Sequence, residues 1–257
     1  METNLVTKTA MVLAAGLGTR LGELTQSRPK ALVEVGGRTM LEHVLRKLMG
    51  AGYGRFVINI HHFAPMVRSF LAGKGNFGTE IHLSEETPDL LNTGGGILHA
   101  RPFLEGCGHF LVHNVDIFSN LDIASFSEEA SRTEGISSIL VSRRVSRSGR
   151  YFLFDEDMRL CGWTDEKNGI VRSPIPGFNP QKYRKFAFGG VHMLSSGIFQ
   201  AFEKAGLEDG TSFSIADFYI DNCDRYPVLG ICPENLRLID AGKVSDLASV
   251  EGFIQEA

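Results

Sequence analysis

Apolar residues in this chain fall into short runs separated by stretches with helical spacing. Residues 11–15, Met-Val-Leu-Ala-Ala, form one such run, the pattern of a strand covered on both faces in a parallel sheet. A second run, 31–35, stops at Gly36-Gly37 and predicts another strand. Thr39 then caps a helix in which Met40, Leu41, Val44, Leu45, Leu48 and Met49 keep one face apolar, and Gly52 closes it. Strands at 56–60 and 80–83 flank a helix at 65–71. Strands at 109–113 and 137–142 flank a polar helix at 121–133. This alternation predicts an α/β protein: a Rossmann-like, mostly parallel sheet, doubly wound and flanked by helices.

From 151 to 172 the runs shorten and turn residues intervene, at Asp155-Glu156-Asp157-Met158 and Lys167-Asn168-Gly169, which predicts a small antiparallel insertion. Residues 173–183 hold Pro174, Pro176, Gly177 and Pro180 and read as a loop able to lie over a substrate. Strand character returns at 186–193 around Gly189-Gly190. Helices at 195–205 and 214–222, short strands at 228–232 and 236–239, and a last helix at 244–254 complete the chain. No repeat or linker interrupts it, so one domain is expected over 1–257.

Composition narrows the function classes. Hydrophobic residues at 43% and charged residues at 22% are those of an ordinary globular protein, and a net charge of -4 gives no general attraction to nucleic acid or membrane. Residues 1–8 lack the basic start and apolar core of a secretory leader, and no run is long enough to span a bilayer, so the cytoplasm is expected. Cys107, Cys161, Cys223 and Cys232 form no Cys-x-x-Cys pair, which speaks against zinc and for reduced thiols.

The chemistry begins after the first strand. Gly16, Gly18 and Gly22 make a loop whose backbone N–H groups can turn toward an anion, with Arg20 and Lys30 close behind. A dinucleotide fingerprint would need glycine at position 21, where Leu21 stands, and no glycine is followed by the Lys-Ser/Thr of a P-loop. A second cluster, Gly94-Gly95-Gly96, opens a helix. It offers either bare N–H groups to a flat base or close packing against a neighbour, and both readings stand. His61-His62 ends a strand with no third metal ligand nearby and reads as a structural pair. Asp116 and Asp240 each follow an apolar strand, where an open α/β sheet presents its ligands.

Gly16-Leu17-Gly18-Thr19-Arg20, then Leu24-Thr25, then Pro29-Lys30-Ala31-Leu32 together resemble the nucleotide-binding signature of the sugar-1-phosphate nucleotidyltransferases, in its compact bacterial form. Leu91-Asn92-Thr93-Gly94-Gly95 resembles that family's base-recognition segment, Asp240-Ala241-Gly242 its second metal carboxylate, and Phe188-Gly189-Gly190-Val191 its sugar-binding strand. The sequence departs from the commonest family form at Asn92 and Gly94, and Val115 stands where a glycine usually precedes the first metal aspartate, here Asp116.

The resemblance implies an enzyme that condenses a nucleoside triphosphate with a sugar-1-phosphate into an NDP-sugar and pyrophosphate. It implies Mg²⁺ on Asp116 and Asp240, with Lys30 on the α-phosphate or sugar phosphate and Arg20 on the departing phosphates. Ala14, Ala15, Gly16, Gly18, Thr19, Gly94 and Gly95 would hold the nucleotide, and Gly189 with Gly190 the sugar. Two other classes remain: a catalytically inactive subunit that binds a nucleotide sugar, and a glycosyltransferase on the same sheet, whose Asp-x-Asp motif could be sought at Asp155-Glu156-Asp157. No Gly-x-Ser-x-Gly marks a serine hydrolase. Base, sugar and oligomeric state stay open.

Overall fold

Strand β1 (Lys8–Leu13) is buried at every position but its first, as a central strand must be when apolar layers cover both faces of a sheet. In the computed structural model, which describes residues 7–256, it leads into a three-ten turn at Thr19–Thr25 and a second at Lys30–Leu32. A two-residue hairpin, β2 (Glu34–Val35) with β3 (Arg38–Thr39), precedes α1 (Met40–Gly50). The strand expected at 31–35 is therefore mostly a turn. Its apolar residues are buried as foreseen, yet a short buried run has no period that separates strand from turn. Residues 1–6, part of the segment read for a leader, lie outside the described residues.

The α/β alternation follows as expected: β4 (Tyr53–Ile60), α2 (Ala64–Gly73), β5 (Glu80–Glu85), α3 (Asn92–His99), α4 (Arg101–Leu104), β6 (His109–Asn114), β7 (Ile117–Ser119), α5 (Ile123–Ser131) and β8 (Ser137–Ser142). The insertion is the antiparallel set β9 (Arg150–Phe154), β10 (Leu160–Asp165) and β11 (Ile170–Arg172). The long β12 (Arg184–Ser195), α6 (Ile198–Lys204), α7 (Ile215–Asn222), β13 (Val228–Ile231), β14 (Leu238–Asp240) and α8 (Val244–Gln255) complete the chain. No helix among the described residues is long and apolar enough to cross a membrane.

The main sheet runs β11-β10-β9-β12-β6-β1-β4-β5, with β8 and β13 joined through β12. Strands β5, β4, β1 and β6 are parallel, whereas β12 runs antiparallel to β6, β8 and β9. Alternation along β1 divides the core: Ala10 and Val12 face a layer with Leu41, Leu45 and Val250, while Met11 and Leu13 face one with Ile97, Phe199 and Phe218. The Thr39 hydroxyl caps α1 by accepting the Glu42 N–H at 3.1 Å, as the sequence predicts, and the Ser214 hydroxyl caps α7 by accepting the Asp217 N–H at 3.4 Å. Because β1 continues through α1 to β4 on one side and has β6 on the other, its C-terminal end is a switch point, where such sheets bind ligands.

The proline-bearing stretch 173–183 departs from expectation. Ser173 Oγ donates to the Cys161 carbonyl at 2.6 Å, Phe178 stacks on Tyr183, and Phe178 fills the space over Gly162. Trp163, the next residue of β10, faces the other side and lines a cavity with Asp240. The loop thus packs on the back of the hairpin rather than over the cleft.

Candidate active site

Outside the C-terminal ends of β1, β4 and β6 lies a cavity of about 200 Å³, lined by Gly16, Lys30, Asn59, Asn92, Thr93 and Asp116 among others. Gly18 has φ +68°, and a Cβ there would come within 2.8 Å of the Lys30 Cβ. Only glycine lets the loop turn left-handed this close to the lysine. The Thr25 hydroxyl donates to the Gly18 carbonyl at 3.1 Å and fixes the turn, while the N–H groups of Gly16 and Gly18 have no partner among the described residues. Bare N–H groups of this kind suit an anion. Thr19 begins the next turn, on the exposed lip.

The N–H groups of Ala14 and Ala15 are already engaged. Both donate to Asn59 Oδ1, at 2.6 and 3.3 Å, and Asn59 Nδ2 donates to Glu86 Oε1 at 2.6 Å. Fully buried Glu86 also accepts the Leu91 N–H at 2.8 Å, so one polar chain ties the glycine loop, β4 and the start of α3. Sequence reasoning missed Asn59 and Glu86 because nothing local marks residues whose partners lie 27 and 45 positions away.

The charged groups converge on two adjacent strands. Asp240 pairs in register with Ile117, next to Asp116, and the Ala241 N–H donates to the Asp116 carbonyl at 2.9 Å. Lys30 is buried and its ammonium group donates to Asp116. A Cβ on Gly242 would lie 2.7 Å from Asp240 Oδ1 and 2.8 Å from an Arg20 guanidinium nitrogen, so that glycine lets Arg20 stand beside Asp240. Burial raises the Asp240 carboxyl above its ordinary pKa, and the nearby charge of Asp116 adds to this. Lys30, Arg20 and Arg144 oppose the shift. Asp240 Oδ1 is buried without a hydrogen-bond partner. Two close carboxylates, one with an orphaned oxygen, fit a hard divalent cation that keeps water and phosphate oxygens as its other ligands. No group of three or more metal-binding side chains occurs among the described residues.

The glycine clusters divide differently from expectation. The Gly94 and Gly95 N–H groups donate to the Phe213 carbonyl, at 2.9 and 3.2 Å. Added Cβ atoms would strike the Phe213 ring at 2.2 Å and the Thr211 carbonyl at 2.3 Å. These two glycines are accounted for by packing against 211–215, behind the cleft, and it is Leu90, Asn92 and Thr93 that line the cavity. Asn92, which departs from the usual family residue, has φ +62°, a left-handed conformation that asparagine tolerates better than most residues with a side chain. Val115 is buried with its N–H on the Leu13 carbonyl at 3.1 Å. Gly189 and Gly190 sit where the β12–β8 register slips, a bulge: Gly189 meets Leu140, and Gly190, at φ +70°, meets Ile117 and Asn114 behind the Asp116 turn.

Other readings resolve as follows. His61 Nδ1 lies 2.7 Å from the Glu86 carbonyl, a structural contact. Asp155 accepts the Asp157 and Arg159 N–H groups inside the β9–β10 turn, so Asp155-Glu156-Asp157 builds a turn. A second cavity, of about 240 Å³, adjoins Asp240 and is lined by Arg144, Tyr151, Trp163, Ala187 and Phe188. Asp116 thus faces one cavity and Asp240 the other.

The family model described as nucleotidyl transferase matches residues 9–172. The N-acetylmuramate alpha-1-phosphate uridylyltransferase of Neisseria meningitidis is 31% identical over 72% of this chain and 81% of its own length. The protein of the same name from Caulobacter vibrioides is 47% identical over 42% of this chain, an alignment that spans 46% of that relative. In fold, the inositol-1-phosphate CTP transferase of T. maritima superposes with a TM-score of 0.76 over 98% of this chain and 96% of its own, at 18% identity. With this sheet, this glycine loop and these matches, the chain belongs to the nucleotidyl transferase family and, within it, to the sugar-1-phosphate nucleotidyltransferases, enzymes that make an NDP-sugar and pyrophosphate from a nucleoside triphosphate and a sugar-1-phosphate.

Proposed function

We propose that the chain acts as a single nucleotidyltransferase domain in the cytoplasm, with uridine triphosphate and N-acetylmuramate 1-phosphate as its substrates. The observation that carries the reaction is the proximity of Asp116 and Asp240 between two cavities, beside Lys30 and Arg20. The base and sugar are taken from the two relatives named above.

In this reading the triphosphate lies along the glycine loop and the sugar phosphate enters from the side of Trp163 and Phe188. An oxygen of the sugar-1-phosphate attacks the α-phosphorus in line, the bond to the bridging oxygen breaks, and pyrophosphate leaves with that oxygen. The attacking phosphate is already ionised at neutral pH, so positioning and charge neutralisation carry the catalysis. Lys30 moves its ammonium contact from Asp116 toward the α-phosphate or sugar phosphate. Arg20 and the N–H groups of Gly16, Gly18 and Thr19 take the β- and γ-phosphates. Asn92 and Thr93 border the base, with Gly94 and Gly95 shaping the helix that carries them, while Gly189 and Gly190 bring the sugar-side strand close to Asn114. Asp116 and Asp240 would hold Mg²⁺, which supplies Lewis-acid stabilisation of the charge that builds on the α-phosphoryl oxygens.

Pyrophosphate release across a matrix of the common triphosphates and sugar-1-phosphates tests the proposal. The expected result is strong release with the uridine and N-acetylmuramate pair. Release with a different pair would move the specificity, and no release with any pair would favour a binding-only subunit.

A further inference from the structure

We infer that Arg144 selects the sugar substrate by pairing with a carboxylate on the sugar ring, at a subsite in the cavity beside Asp240. The inference rests on the reading that the sugar is N-acetylmuramate 1-phosphate, whose lactyl ether places a carboxylate on the ring.

Four arginines, Arg143, Arg144, Arg147 and Arg150, follow β8 in this segment; Arg143 is exposed and does not line the cavity, and the other three differ in their partners. Arg147 is paired with Asp246 and Arg150 with Asp165, the latter at 3.3 Å. Arg144 lines the cavity with Asp240 but forms no ion pair among the described residues. The opposing negative field on Arg144 comes from Asp240, and Arg147 repels it. Once Asp240 is committed to a divalent cation, Arg144 faces the cavity without a counter-charge. A planar guanidinium in that position matches a ligand carboxylate in a two-bond, fork-to-fork geometry.

The remaining walls fit a sugar ring. Trp163 and Phe188 supply flat apolar faces, and Ala187 and Ala216 leave room beside them. Arg172 lies over the Trp163 ring at 5.9 Å and is itself anchored by Asp217 and Asp221, which holds the indole in place. The sugar's own phosphate has Lys30 to meet it, together with the cation that Asp116 and Asp240 would hold. That leaves Arg144 for a second negative group on the ring, which a hexosamine phosphate without a carboxylate lacks.

The experiment compares kcat/KM for N-acetylmuramate 1-phosphate and N-acetylglucosamine 1-phosphate, both with uridine triphosphate, in the wild type and Arg144→Gln. The preference ratio for the carboxylated sugar is expected to fall roughly 10- to 100-fold in the variant, the size of one charge-assisted pair. Arg144→Lys, which keeps the charge but loses the fork, is expected to fall between. Equal losses on both sugars would show Arg144 acting on the shared phosphate and would overturn the inference, as would an unchanged ratio. Calorimetric binding of UDP-N-acetylmuramate and UDP-N-acetylglucosamine to both proteins gives the same ratio without turnover. If the proposed reaction fails, the Arg144 assignment is still decided: loss of a preference for the carboxylated nucleotide sugar in the variant supports it, and absence of that preference in the wild type overturns it.

Discussion

Lys30 donates its ammonium group to Asp116, joining the glycine loop to the turn after β6 while both residues are largely withdrawn from water. The lysine thus neutralises one of two neighbouring carboxylates; in the proposed reaction it would neutralise phosphate instead. Lys30→Met is expected to lower kcat by roughly 10²- to 10³-fold, the usual cost of removing one preorganised charge at a reacting centre. It should also destabilise the substrate-free protein by about 1–3 kcal/mol, since Asp116 loses its partner next to Asp240. Steady-state pyrophosphate release and urea unfolding read the two effects separately. A variant with wild-type kcat would remove Lys30 from the mechanism.

Asp240 invites the opposite combination. Its carboxyl is raised by burial and by Asp116, and its Oδ1 has no hydrogen-bond partner, so the ionised side chain is a cost to the unliganded fold. Asp240→Asn should therefore keep or increase thermal stability while turnover falls at least about 10³-fold through loss of the cation's ligand. Asp116→Asn should lose turnover similarly. Full activity in both variants, measured over a range of Mg²⁺ concentrations, would sink the metal assignment.

Much of this site is visible in the sequence because its parts are local. The segment from Gly16 to Lys30, Asp116 just beyond β6, Asp240 at the end of β14, and the Asn92-Thr93 start of α3 each occupy one short stretch with a characteristic order. What the sequence hides is assembly across distance. Asn59, Glu86 and Arg144 belong to no motif, and their meaning comes from Ala14, Leu91 and Asp240, brought near by the parallel crossovers and by the return of β14 beside β7. Glycine is ambiguous for a related reason. Gly18 marks a left-handed turn against Lys30, Gly95 marks contact with a backbone carbonyl, and the letter is the same in both. At 31–35, buried apolar residues served a turn as well as they would have served a strand.

The glycines can be separated by substitution. Gly16 has an ordinary φ and nothing within 4 Å of an added Cβ, so Gly16→Ala should fold with unchanged stability. If its backbone meets the triphosphate, the KM for the nucleotide should rise roughly tenfold or more. Gly95→Ala must drive a methyl group to 2.3 Å from the Thr211 carbonyl and should destabilise the protein by about 1–3 kcal/mol. Melting temperature and nucleotide KM for the two variants check the division. A stable Gly95→Ala with impaired nucleotide binding would restore Gly95 to the base site.

Asn59 supports the loop from beneath. Asn59→Ala removes the acceptor of two N–H groups and the donor to a fully buried carboxylate. Each buried polar group left without a partner costs about 1–3 kcal/mol, so a loss of about 3 kcal/mol or more is expected. Asn59→Asp would keep the acceptor but set a second carboxylate against Glu86 and should be no better tolerated. Urea midpoints for both variants test this, and a loss below 1 kcal/mol in Asn59→Ala would show that water replaces the amide.

Acid sensitivity should arise from two fully buried histidines. Burial holds the fully enclosed His113 down at about 4 and His192 at about 3, the latter also repelled by His113, against about 6.5 in the unfolded chain. Between those values the unfolded chain binds protons that the folded protein refuses. Stability is therefore complete above about pH 6.5 and is lost progressively as the pH falls toward 4 and then 3. The carboxylates held low by their partners, such as Glu42, begin to contribute only nearer pH 4.5, and Asp240, raised by burial, acts in the opposite sense, so a fall between pH 6.5 and 5 comes from the histidines. Unfolding free energy in this range should fall by up to about 1.4 kcal/mol per pH unit for each histidine. His192→Phe forfeits the 2.7 Å contact with the Tyr219 hydroxyl, and so about 1 kcal/mol at pH 7.5, but it should remove one histidine's share of the slope. Urea titrations at pH 7.5, 6 and 5 measure that slope, and an unchanged slope in His192→Phe would show that the acid sensitivity lies elsewhere.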